Sequence, residues 1–76
     1  MQDFEKKLGE ILFCKKLLKE TLSLWSHETI EYLKEDEQFM YFAISSENKP
    51  SVFYRVDDDM DTFKLENDEW KYIATI

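Results

Sequence analysis

The chain has 76 residues, with 10 Lys and Arg against 17 Asp and Glu, for a net charge of −7. That length allows a single domain, residues 1–76, close to the lower limit of what one hydrophobic core can stabilise. One Cys and one His exclude an internal disulfide and a Cys/His metal set, and the acidity argues against direct binding of nucleic acid or anionic lipid, either of which needs a basic face.

The absence of paired cysteines points to a reducing, cytoplasmic compartment. The longest apolar runs, 11–14 and 39–44, are far short of a membrane span, so a soluble chain without membrane contact is expected. At 43% hydrophobic and 16% aromatic residues, the composition is that of a folded unit.

Residues 3–25 read as a helix. Phe4, Leu8, Ile11, Cys14, Leu18, Leu22 and Trp25 recur at three- and four-residue steps and share one side, Asp3 is placed as the N-cap, and Gly9 weakens the first turns. The helical half is assigned to 1–26 and the sheet to 27–76.

Beyond Ser26 the pattern changes to short β-branched and aromatic runs at 28–34, 38–45, 51–56, 62–65 and 70–76. Polar clusters at 35–37, 46–50, 57–61 and 66–69 separate them, each short enough to turn a hairpin. The first run is the least decided, because Ser26 and Glu28 can also cap a short helix carrying Ile30 and Leu33. The fold expected is α+β, one long N-terminal helix packed on an antiparallel four- or five-stranded β-meander.

Two surfaces carry more apolar residues than such a fold requires. The helix has Leu17 and Leu24 on a flank and Phe13 nearly opposite the main stripe, leaving Glu5, Lys16, Lys19, Glu20 and Ser23 as the solvated sector. In the second strand Met40, Phe42 and Ile44 share one face while Phe39, Tyr41 and Ala43 make an apolar opposite face; Phe53 alternates against Val52, Tyr54 and Val56, and Ile73 against Trp70, Tyr72 and Ala74. Either the sheet twists enough to bury both faces, or these surfaces form a homodimer or partner contact, with Phe13, Leu17 and Leu24 as the oligomer contact.

The charge is unevenly distributed, with 5 basic and 4 acidic residues up to Trp25 and 5 against 13 after it. The excess sits in turns: Glu35, Asp36 and Glu37 in the first, Asp57, Asp58, Asp59 and Asp61 in the third. An antiparallel meander brings these two turns to one end. Such carboxylates keep a small sheet soluble and discourage edge-to-edge association. They can also steer the protein to a basic groove and stand where phosphates would.

An acidic chain this small is similar in composition, though not in any motif, to acidic inhibitors and antidotes of nucleases and other DNA-acting proteins. The expectation is therefore a small acidic non-enzymatic binding protein, an inhibitor or antidote of a basic nucleic-acid-handling protein. Its partner-binding residues would be Glu35, Asp36, Glu37, Asp57, Asp58, Asp59 and Asp61, with Tyr41 and Phe53 as apolar anchors. The alternative is a homo-oligomeric structural or regulatory accessory protein assembling through the helix back and open sheet face. A third reading is an adaptor that binds peptides at a free sheet edge.

Other chemistry is weakly supported. Residues 57–61 have the D-x-D-x-D opening of a calcium loop, but Thr62 replaces the turn glycine, Asp68 stands at the twelfth position, and no flanking helices are expected. His27 reads as a partner for helix C-terminal carbonyls and Cys14 as a small buried hydrophobe. Lys15, Lys16 and Lys19 are too few for a phosphate-tracking stripe. No cofactor, metal or catalytic residue is assigned.

Overall fold

The computed structural model describes the backbone of residues 2–22 and 28–76, with side chains from Glu5 onward. Helix α1 spans Gln2–Thr21 and is followed by β1 (Thr29–Glu35), β2 (Phe39–Ser46), β3 (Lys49–Asp57), β4 (Asp61–Glu66) and β5 (Glu69–Thr75). Asp3 lies within the first helical turn and is not its cap. Leu24, Trp25, Ser26 and His27, and the roles expected for them, lie outside the described residues.

All five strands form one sheet in chain order, each antiparallel to the next. The run at 28–34 is a strand: Ile30 and Tyr32 pack against the core while Thr29 and Glu31 are exposed, a period of two that no short helix would produce. Two of the hairpins turn on two residues. In the last, Asn67 (φ 51°) and Asp68 (φ 65°) are both left-handed, the geometry that matches the right-handed twist of the flanking strands. Pro50, expected in a turn, is inside β3. It lies in the stretch that β4 does not reach and beside the bulge after Ile44, settings where a missing N–H is tolerated.

The core is a seam of Ile11, Cys14 and Leu18 from α1 pressed on Phe42 of β2 and Val56 of β3, with Met40 and Met60 packed at its margin. Leu18 and Phe42 have no exposed surface, and burial of each contributes about 1.5–3 kcal/mol. Leu8, expected on this stripe, is 45% exposed, because the line that meets the sheet is narrow and Leu8 stands on its shoulder. The helix back is also not one apolar face. At about 100° per residue, Leu8 and Leu12 form one strip and Phe13 and Leu17 another, with Glu5, Gly9, Lys16 and Glu20 between them.

The strand alternation places Met40, Phe42 and Ile44 toward the helix and Phe39, Tyr41 and Ala43 away from it, as expected. In β5 a register shift between its pairs with Thr62 and Phe63 makes Ile73 the extra residue. Ala74 therefore opposes buried Thr62 on the helix side, and does not share a face with Trp70 and Tyr72 as strict alternation predicts. No described helix is long and apolar enough to cross a membrane.

Candidate functional site

The first and third turns meet at one end of the sheet. Glu35, Asp36, Glu37 and Asp58 surround a shallow depression together with Lys7 and Glu10 of α1, and Gln38, Phe39, Asp57, Asp58 and Asp59 line a second beside it. The seven turn carboxylates are thus neighbours, but they are not equivalent.

Four of them are engaged by the chain. Asp36 Oδ1 accepts the N–H groups of Gln38 and Phe39 at 2.8 Å each, and its Oδ2 accepts the Tyr41 hydroxyl at 2.6 Å. The Tyr41 hydrogen bond first, then the two amides, hold the Asp36 carboxyl below its ordinary pKa, and the Tyr41 phenol is raised in return. Asp57 Oδ1 accepts the amides of Asp59 and Asp61, which closes the third turn around Met60 (φ 67°). Asp61 Oδ1 accepts the Thr75 hydroxyl at 2.6 Å, and Glu35 pairs with Lys7 at 2.8 Å. That pair, with Glu10 adding to it, pushes Lys7 up to about 12. No hydrogen bond or ion pair among the described residues engages the carboxylates of Glu37, Asp58 or Asp59. These three, with Glu10 nearby, are the charges the end presents outward.

The calcium-like run has strands on both sides where that loop has helices. Oxygens of Asp57, Asp59 and Asp61 lie within 4.8 Å of one another, yet Asp57 and Asp61 already accept hydrogen bonds from the chain itself.

The second surface is the sheet face opposite the helix. Cross-strand register puts Lys34, Tyr41, Arg55, Phe63 and Tyr72 in one row from β1 to β5. Tyr41 and Trp70 lie on strands three spacings apart, about 14 Å in a flat sheet. Their rings nonetheless meet edge-to-face with centroids 5.9 Å apart. The twist of the sheet has made this face concave along that diagonal.

Arg55, the only arginine of the chain, fills the concavity, its guanidinium carbon 4.0 Å from the Phe39 ring centroid, 4.6 Å from Trp70 and 5.4 Å from Phe63. Its Nε is buried without an acceptor, and no described carboxylate lies within salt-bridge distance. The twist thus buries this face in part: the rings pack on one another, while Phe53 and Tyr72 remain exposed.

Beside the Tyr41–Trp70 contact lies a groove of about 470 Å³ lined by Leu33, Lys34, Tyr41, Phe53, Leu65 and Trp70. Tyr41 and Phe53, expected from the sequence as anchors, both line this groove; Tyr41 also reaches the acidic end through its hydroxyl on Asp36, where Phe39 is the adjacent aromatic. Arg55, Lys34 and Trp70 were missed. The available signal was a lone arginine placed mid-strand on the same side as Phe53.

Of the expected oligomer contacts, Phe13 is exposed, Leu17 is half-buried and Leu24 lies outside the described residues. Exposed Leu12 was not anticipated. Cys14 is buried, and burial raises its thiol pKa. No protein-family model, curated protein or solved structure matches the chain.

Proposed function

We propose that this is a small non-catalytic binding protein whose acidic end captures a basic, nucleic-acid-handling protein and blocks it as an inhibitor or antidote would. The observation that supports this most is the convergence of the first turn, the third turn and α1, which gathers Glu10, Glu35, Glu37 and Asp58 around one depression against the single cation Lys7. The internal hydrogen bonds of Asp36 and Asp57 favour the same reading, because they hold the two turns in one shape and lower the entropy lost on docking. Glu37, Asp58 and Asp59 make the charged contacts, Asp36 and Asp57 set the frame, and Phe39 supplies the apolar centre beside them. The charge accelerates encounter and sets the salt dependence.

The test is affinity capture from the source cells with the wild type and with the Glu37→Gln, Asp58→Asn, Asp59→Asn triple variant. A basic protein held at low salt by the wild type, released at high salt and lost with the triple variant is expected. Capture that is equal for both proteins and indifferent to salt defeats the proposal. Self-association through the helix back is less favoured, since the polar ridge splits its exposed apolar residues into two strips. Light scattering across a dilution series, with and without Phe13→Ser, separates the two.

A further inference from the structure

We infer that the groove on the concave face is a binding site for a small amphipathic carboxylate, with an aromatic or aliphatic body against Leu33, Phe53, Leu65 and Trp70 and its anionic group at Lys34. This inference does not rest on the function proposed for the acidic end. Three observations carry it. The groove, at about 470 Å³, lies within the roughly 300–1,000 Å³ range of small-molecule sites. Its lining is aromatic and aliphatic apart from one cation, the composition that receives an apolar body with one charged group.

That cation is also available. Lys34 Nζ lies 5.1 Å from the centroid of the Tyr41 ring and feels Asp36 at longer range, yet no described carboxylate is within salt-bridge distance of it. Glu31 is on the same face, opposite Ala43, but does not line the groove. Arg55, which does not line the groove, lies 4.6 Å from the ring of Trp70, which does, and adds a second positive charge nearby. A cationic ligand would meet two like charges here despite the aromatic rings. A neutral one would leave Lys34 without a partner. The wall is held in place by the Tyr41–Trp70 contact and by the Asp36–Tyr41 hydrogen bond, so the site exists before any ligand enters.

The experiment is a titration of the full isotope-labelled chain, followed by amide and indole nuclear magnetic resonance, with 3-phenylpropionate, 3-phenylpropionamide and 2-phenylethylammonium as probes. The expected result is shifts centred on Leu33, Tyr41, Phe53, Leu65 and the Trp70 indole, with the carboxylate bound on the order of fivefold more tightly than the amide and the ammonium weakest. Lys34→Met should bring the carboxylate down to the amide's affinity, and Phe53→Ala should weaken both. Lys34 and Phe53 are exposed, so both variants should keep the fold, which the same spectra report. Equal affinity for carboxylate and amide, shifts scattered outside the groove, or a Lys34→Met protein that keeps the carboxylate preference each overturns the inference. Loss of the acidic-end interaction in the triple variant would leave this result unchanged, so the two readings fail separately.

Discussion

The two faces of the sheet solve the same problem with different materials. On one, a separate element covers the strands: Ile11, Cys14 and Leu18 of α1 complete a core in which Phe42 and Val56 are buried. On the other, no described element covers the strands, and the sheet uses its twist to bring Tyr41 and Trp70 together over Arg55. The first face is closed by the aliphatic side chains and Cys14 of α1, whose packing is insensitive to direction. The second is closed partway by rings and a cation, whose contacts are directional and leave edges exposed. A face that covers itself in this way retains a groove, and the groove is where a ligand finds aromatic surface already in position.

The comparison breaks most visibly at Leu18. Leu18→Ala should cost about 2–5 kcal/mol, a large share of the total in so small a domain, and urea unfolding followed by circular dichroism measures it. A loss well under about 1 kcal/mol would mean the helix does not close the first face.

Arg55 tests the second face. Arg55→Ala should lose about 1–3 kcal/mol through lost packing, whereas Arg55→Met, which keeps the length and removes the orphaned Nε, should be neutral or stabilising by on the order of 1 kcal/mol. Equal losses from both variants would show that the charge, and not the filling, holds the rings.

Gly9→Ala, on the helix back away from both faces, should stabilise by about 0.5–1 kcal/mol, because a Cβ there meets nothing within 4 Å. A destabilised protein would place that surface in a contact. Lys7→Ala, which removes the exposed pair with Glu35, should change stability by less than about 1 kcal/mol and by less still in high salt.

The smallest effect is the pH response of the first turn. The Asp36 carboxylate is held below its ordinary pKa, so its contribution is complete above the ordinary Asp range and is lost as pH falls through the lowered value. The Gln38 and Phe39 amide resonances should therefore move only below that range, and Tyr41→Phe should raise the transition. A midpoint at or above the ordinary value would remove the proposed frame of the acidic end.

Much of this arrangement was legible in the residues. The three- and four-residue spacing of Ile11, Cys14, Leu18 and Leu22 specified the helix and its inner line, and the alternation from Phe39 to Ile44 assigned both faces of β2. The position of the polar clusters put the first and third turns at one end, since antiparallel neighbours leave no other choice.

What the sequence could not determine depended on three-dimensional neighbours. Asp36 and Glu37 are adjacent carboxylates of the same turn, yet one is consumed by two backbone amides and a tyrosine while the other is free, and only the turn's geometry separates them. The bulge at Ile73 returned Ala74 to the helix side, because one extra residue reverses a period of two. The meeting of Tyr41 and Trp70 arose from the accumulated twist of four strands, a property of the whole sheet and of no local segment. The sequence by itself determined which residues would be apolar, charged or turning. The tertiary structure decided which of them would be used up in holding the fold and which would remain to bind something else.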